Sequence, residues 1–512
     1  MKSSYILAID QGTSSTKTLI FDVEGKVVAR GSEPLKTYYS EGGHVEQQPK
    51  EIYRNVLQSV GQCLTQFTAQ GEELSNIQAI GISNQRETFV VWDEAGTPLY
   101  NAVVWQCKRS INICERLTQQ GLTETVRQKT GLIIDPYFSG TKLIWLYENI
   151  AAVREAIDAG KAFFGTIDTW LLYKLTGGKS YLTDYTNASR TLFFNLSELT
   201  WDQELLAQFG LSRLNLPEPK PSAALFGETD FGGLLPEPIK ITSMIGDSHA
   251  AAFGEGCFAP GTAKATMGTG SSIMMNIGEE PKLSGRGMIT TICWSTEERV
   301  DYALEGVIVT CGATIEWLKN ELGILSDSRQ TEAMAQAVPD NNGVYLVPAF
   351  SGLGAPHWDM SRKASITGLT FDCNKNHIVR AALESIPYQI KDVIQAMELD
   401  AGIDLAALMV DGGITTNNFV VQFLADLLEK PVVKIVMPEV SALGAAYLAG
   451  LKAGIFQNIE QLKTLNTTKT QVNPGEMQPQ VQKYYLGWQK ALGSHSVVNP
   501  KPKIMVEPAL AK

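Results

Sequence analysis

The chain has 512 residues, 44% of them hydrophobic and 19% charged, with a formal net charge of −11. That length exceeds one ordinary core and predicts two large domains, while the acidic balance argues against nucleic-acid binding, which wants basic patches. No apolar run reaches the roughly 18 residues of a membrane span, and the seven cysteines (Cys63, Cys107, Cys114, Cys257, Cys293, Cys311, Cys373) form no CxxC pair, which predicts reduced thiols rather than a disulfide framework or zinc site.

Met1-Lys2-Ser3-Ser4 leads directly into an apolar run and leaves no room for a signal peptide, so a cytoplasmic protein is expected. Residues 5–9 read as a buried strand and residues 18–21 as its partner, joined by a polar turn built on Gly12, which is expected to supply a positive φ. The turn, Asp10-Gln11-Gly12-Thr13-Ser14-Ser15-Thr16-Lys17, admits two readings: a hairpin with a polar tip, or an anion cradle of N–H and hydroxyl donors with Lys17 adding charge. In the second, Asp10 at the strand end suits a hydrated metal rather than the anion. Downstream, Ile52, Val56, Val60, Leu64 and Phe67 fall at helical spacing. A strand over 77–83 then delivers Asn84-Gln85-Arg86-Glu87-Thr88, followed by a strand at 89–92, a turn at 94–97 and the stretch Val103-Val104-Trp105-Gln106. Adjacent Arg86 and Glu87 read as a surface ion pair or as a hydroxyl-recognition pair, since Arg only donates and carboxylate only accepts.

With Gly131-Leu132-Ile133-Ile134-Asp135-Pro136-Tyr137-Phe138-Ser139-Gly140-Thr141-Lys142 a family resemblance becomes clear. This segment resembles the first signature of the FGGY carbohydrate kinases, and more closely their glycerol kinase branch. Asp10-Gln11-Gly12-Thr13, Asn84-Gln85-Arg86-Glu87-Thr88, Trp105-Gln106-Cys107, Asp184-Tyr185-Thr186-Asn187-Ala188-Ser189-Arg190 and Gly352-Leu353-Gly354-Ala355-Pro356 resemble the same branch. Ala364-Ser365-Ile366-Thr367-Gly368-Leu369, continuing through His377 to Glu384, resembles the second signature. The ordered set runs from residue 5 to about 490.

The second half opens with Gly246-Asp247-Ser248-His249, a strand end and a helix start. Asp247 reads as a helix N-cap or, as the resemblance implies, as the general base that takes a proton from an attacking hydroxyl. His249 reads as packed behind the helix start. Thr266-Met267-Gly268-Thr269-Gly270-Ser271-Ser272 repeats the opening strand–turn–strand design, a weak internal repeat, and is neither a Walker loop nor a dinucleotide fingerprint. A helix over 313–322, a strand over 407–410 ending in Asp411-Gly412-Gly413, and a small-residue helix over 441–450 follow. The glycine pair reads as a strand-to-helix turn or as a surface for a flat base. From Val497 the chain reads as a loose tail.

The resemblance implies an α/β fold of two duplicated ATPase domains, as in actin, hexokinase and the heat-shock chaperones, over 1–254 and 255–496, with a hinge near 250–260. It implies ATP and Mg2+, with Asp10 orienting hydrated magnesium and Thr13, Ser14, Ser15, Lys17 and Thr269 cradling the phosphates. Gly312, Glu316, Gly413 and Asn417 are implied at the adenosine site, and Arg86, Glu87, Trp105, Tyr137, Asp247, Ser248 and Ser272 around a small polyol or sugar. A homo-oligomer, dimer or tetramer, is implied, with no nucleic-acid or membrane partner. Two competing classes are disfavoured: a sugar-sensing regulator would need a DNA-binding module before residue 5, and a chaperone ATPase a peptide-binding domain.

The chain departs from the glycerol kinase pattern in two ways. Ser248-His249 replaces a Gln-Gln pair, and Ser272 replaces the aromatic wall of the glycerol pocket. Both changes at serine shorten side chains facing the acceptor, leaving glycerol and a four- or five-carbon polyol or ketose as alternatives. The loop Phe231-Gly232-Gly233-Leu234-Leu235-Pro236-Glu237-Pro238, where many bacterial relatives bind fructose 1,6-bisphosphate, has no arginine.

Overall fold

The computed structural model describes residues 4–437, 439–465 and 469–493. The expected tail, 497–512, lies outside the described residues. Strands β1 (Tyr5–Gln11), β2 (Ser15–Asp22), β3 (Val27–Pro34), β4 (Ile77–Asn84), β5 (Gly227–Thr229) and β6 (Ile239–Gly246) form a sheet ordered β5-β6-β4-β1-β2-β3. Strands β7 (Thr262–Met267), β8 (Ser271–Gly278), β9 (Ile289–Ser295), β10 (Val300–Ile308), β11 (Ala407–Asp411), β12 (Val432–Ile435) and β13 (Lys469–Val472) form a second, ordered β9-β10-β8-β7-β11-β12-β13.

The two sheets repeat one plan. In each, an antiparallel hairpin (β1–β2, β7–β8) continues into a third antiparallel strand, β3 or β10. The first hairpin strand then pairs in parallel with a later strand, β4 or β11, which pairs in parallel with another, β6 or β12. The repeat read at the two Gly/Thr/Ser turns therefore extends through both sheets.

Helix α1 (Pro49–Ala69) buries Ile52, Val56, Val60, Leu64 and Phe67 in one cluster with Leu7 and Ile9 of β1. Each side chain so buried contributes ~1.5–3 kcal/mol. Ile6 and Ala8 point to the opposite face, into a cluster with helices α2 (Asp247–Glu255) and α4 (Val440–Lys452). Covered on both faces, β1 needs a continuous apolar run rather than an alternating one. The long helix α3 (Lys375–Ala401) covers the second sheet, with Ile386, Ile390, Val393 and Met397 buried.

Between the sheets α2 and α4 pack closely because their contact is made of small residues. A Cβ at Gly444 would lie 1.8 Å from the Ala250 carbonyl oxygen, so only glycine fits there. The small-residue helix thus brings α4 against the helix that begins with Asp247. Among the described residues no helix is long and apolar enough to cross a membrane.

One sequence expectation needs correction. Gly12 does not have a positive φ; its N–H bonds the Ser15 carbonyl at 3.0 Å, and the turn closes without left-handed backbone. In the stretch 103–106 the strand is Ala102–Val103, and the chain then turns at Trp105, whose indole N–H reaches Thr13.

Candidate active site

The β1–β2 tip carries Ser14 exposed and Thr13, Ser15 and Lys17 half-buried, with Lys17 paired across the ladder to Asp10. Behind the tip stand three buried glutamines. Gln47 donates to the Thr13 carbonyl (2.8 Å), and Gln85 donates to Gln11 (3.1 Å) and Gln47 (2.8 Å). This amide network holds the turn while leaving its outer donors toward the cleft.

Asp10 accepts from Ser83 Oγ at 3.1 Å. Burial, and then the neighbouring Asp247 carboxylate, raises its carboxyl to about 6, against the pull of Ser83 and Lys17. Two carboxylates that repel one another beside a phosphate-sized turn have the donor chemistry for a divalent cation. Among the described residues no cluster of three His, Cys, Asp or Glu forms a cage.

Asp247 opens α2, but Gly246 occupies the N-cap position, so the N-cap reading does not hold. Its Oδ1 accepts only from the adjacent Ser248 N–H (2.6 Å) and lies 3.4 Å from Arg86 Nε. With 38% of its side chain exposed, the carboxylate is available to the cleft. His249 behind it is buried, and both ring nitrogens lack a hydrogen-bond partner. Burial and then the Arg86 charge hold its imidazole neutral, well below the ordinary range.

Arg86 and Glu87 do not form a surface pair. They belong to a buried lattice in which charges alternate: Arg86 Nη2 to Glu305 Oε1 at 2.9 Å, Glu305 Oε2 to Arg190 Nη1 at 2.8 Å, and Arg190 Nε to Glu87 Oε1 at 2.6 Å. The two guanidiniums hold the Glu305 carboxyl far below the carboxylate range, although burial alone would raise it. Burial wins at Glu87, whose carboxyl is raised. Glu87 has φ 60°, a left-handed conformation costing ~1–3 kcal/mol, fixed by Ser139 Oγ donating to its carbonyl at 2.7 Å. Among the described residues Arg86 Nη1 has no hydrogen-bond partner.

Trp105 and Tyr137 meet edge to face, 5.6 Å between centroids, and Trp105 Nε1 donates to Thr13 Oγ1 at 2.9 Å. That bond ties the aromatic pair to the first turn. Buried Lys142 donates to the carbonyls of Tyr137 (2.7 Å) and Trp105 (3.4 Å), and burial lowers its ammonium to about 7. Ser248 is half-buried beside Asp247, and Ser272 Oγ donates to Glu305 Oε1 at 3.3 Å.

On the other wall, Thr269, Gly312, Glu316, Gly413 and Asn417 all line one cavity of about 750 Å³. The β7–β8 tip is stapled to the helix Ala313–Asn320: Cys311 and Ala313 N–H bond the Thr269 carbonyl, and Gly312 N–H bonds Gly268 at 2.9 Å. A Cβ on Gly312 would lie 2.7 Å from the Gly268 oxygen. The Asn417 side chain caps the helix Asn418–Leu428 and donates to Thr331 Oγ1 (3.2 Å). Sequence reading missed Arg190, Glu305 and Lys142. Each was visible only as a charge inside an otherwise apolar or motif-bearing stretch.

Comparison with known proteins shows the family and the fold. The model of the FGGY family of carbohydrate kinases, N-terminal domain, matches residues 5–254, and that of the C-terminal domain residues 263–453. A glycerol kinase of Carboxydothermus hydrogenoformans is 47% identical over 493 residues, spanning 96% of this chain and 98% of that relative. One from Petrotoga mobilis is 47% identical over 492 residues, spanning 95% and 97%. Among solved structures, Plasmodium falciparum glycerol kinase with ADP is similar at TM-score 0.91 and 34% identity, over 96% of this chain and 98% of that one. Xylulose kinase from Lactobacillus acidophilus, at 22% identity and TM-score 0.84 over 96% and 99%, shares the fold.

Proposed function

The chain belongs to the FGGY family of carbohydrate kinases, and from that premise we propose that it carries the terminal phosphoryl group of ATP to a primary hydroxyl of a small polyol, glycerol first among them. The observation that carries this reading is the position of Asp247. Its carboxylate stands between Arg86, 3.4 Å away, and Asp10 at the first turn, whose carboxyl it raises. A base there touches an acceptor hydroxyl on one side and faces the phosphate turn on the other.

In this reading the polyol lies on Trp105 and Tyr137, with Arg86 and Glu87 taking its hydroxyls. The free Nη1 of Arg86 is a donor suited to a hydroxyl oxygen. Asp247 accepts the proton of the attacking hydroxyl as its oxygen bonds the γ-phosphorus and the bond to the β,γ-bridging oxygen breaks. Thr13, Ser14, Ser15, Lys17 and Thr269 hold phosphate oxygens, and Gly312, Glu316, Gly413 and the backbone at Asn417 bound the adenosine. Asp10 would hold hydrated magnesium, which supplies charge neutralisation on the phosphates. Closure of units 1–254 and 255–496 about a hinge near 250–260 excludes water and so suppresses ATP hydrolysis. We take the protein to be cytoplasmic and a homo-oligomer, dimer or tetramer.

A second reading, a four- or five-carbon polyol or ketose, is favoured by one observation. Where the family pattern has an aromatic wall, Ser272 spends its hydroxyl on Glu305 and fills little space. Polyol-dependent ADP release, with the product's phosphate located by phosphorus NMR, tests both. ADP release that no polyol stimulates would refute them.

A further inference from the structure

The buried charge lattice joins the two halves of the molecule. Arg86 follows β4, and Arg190 follows the short helix Tyr185–Ala188; both belong to the first half of the chain. Glu305 lies on β10 of the second sheet, only 1% exposed, in ladder register with Met274 of β8 and Ile289 of β9. Its two oxygens are divided between the two guanidiniums, at 2.9 Å and 2.8 Å, and Oε1 also accepts from Ser272. A guanidinium stands against each oxygen, the Oε2–Arg190 contact being an ion pair without hydrogen-bond geometry. The two cations hold the carboxyl far below the carboxylate range, so Glu305 is no proton acceptor for substrate and acts through the arginines.

We infer that Glu305 is a positioning residue for the polyol: by clamping Arg86 and Arg190 across the cleft, it sets the acceptor frame only when the two halves are closed. Arg86, held between Glu305 and Asp247, keeps its buried Nη1 without a hydrogen-bond partner among the described residues, a donor left for the acceptor. Arg190, held by Glu305, fixes Glu87 in turn through its Nε bond of 2.6 Å. One carboxylate from the second half thus governs both polyol-binding side chains of the first. The cavity proposed for the nucleotide is lined by other residues, Thr269, Gly312 and Gly413 among them, and by no member of the lattice. The effect of Glu305 therefore falls on the acceptor and not on ATP. This inference rests on the kinase reading above.

The test is steady-state kinetics of the full-length parent, Glu305→Gln and Glu305→Asp, with polyol and ATP varied separately. Glu305→Gln keeps the shape and removes the charge; Glu305→Asp keeps the charge but is too short to span both arginines. Misplacing a positioning group by about 1 Å can cost ~10²-fold. We expect KM for the polyol to rise ~10–100-fold in both variants while KM for ATP stays within about threefold. Small-angle scattering of the unliganded proteins should give a larger radius of gyration for Glu305→Gln than for the parent. Should Glu305→Gln not fold, Glu305→Asp gives the same kinetic split. A polyol KM equal to the parent's, or a rise in both KM values together, overturns the inference. A parent that transfers no phosphate to any polyol overturns instead the reading on which it rests.

Discussion

Replacing Asp247 by Asn asks whether the carboxylate at the start of α2 is the base. The amide keeps an oxygen where Oδ1 accepts from Ser248 N–H, and Arg86 retains its 2.9 Å pairing with Glu305, so the local frame survives. The side chain is 38% exposed and caps nothing, so the fold should tolerate the change. What is lost is the proton acceptor. One positioned general base is worth ~10²–10⁴ in rate, or ~3–5 kcal/mol of barrier. Turnover of Asp247→Asn should fall by that factor, while ADP affinity by calorimetry stays within a few-fold, because Asp247 does not line the cavity proposed for the nucleotide. Turnover within a few-fold of the parent at full acceptor saturation would refute the assignment.

Three further outcomes follow from particular residues. Glu255 is buried with both oxygens unbonded, and burial, then Asp411, raises its carboxyl to about 8. Between its ordinary value of 4.5 and 8 the native state holds a proton the unfolded state has released, so stability falls as pH rises, by ~1.4 kcal/mol per unit. Glu255→Gln should therefore gain melting temperature on the parent between pH 5 and pH 8; a pH-independent difference would contradict this. The loop 231–238 offers no arginine to a bisphosphate, which needs cationic partners. Fructose 1,6-bisphosphate should not inhibit at concentrations that inhibit the enzymes carrying such an arginine, and saturable inhibition would sink the idea. Ser272→Phe should refill the acceptor wall and shift kcat/KM from longer polyols toward glycerol by ~10–200-fold. A neutral result, with glycerol already the best acceptor, would mean the gap was never open.

The parts legible in the sequence were those with local signals. The apolar run at β1, the helical spacing of α1 and the two Gly/Thr/Ser turns appear in the structure where periodicity put them. The doubled sheet order was only hinted at, because ladder pairing between β1 and β4, or β7 and β11, joins segments far apart in the chain. Arg86 and Glu87 were visible as a pair, but their partners were not. Arg190 and Glu305 meet them only because β10 crosses beneath the first half, a tertiary fact without a local signature. Lys142 sits on the apolar helix Ser139–Asn149, where its burial between two carbonyls depends on the turn at Trp105. Gly12 misled in the other direction: a glycine at a turn suggests left-handed backbone, yet this turn closes by the Ser15 carbonyl instead.

The most direct test of the central claim is a stoichiometric one. Full-length protein, ATP and magnesium are incubated with glycerol, and with four- and five-carbon polyols and ketoses in parallel, while ADP and phosphate esters are followed by phosphorus NMR. One ester on a primary hydroxyl is expected for each ADP, with little ADP formed when no polyol is present. ADP accumulating equally with and without every acceptor, and no ester signal, would contradict it.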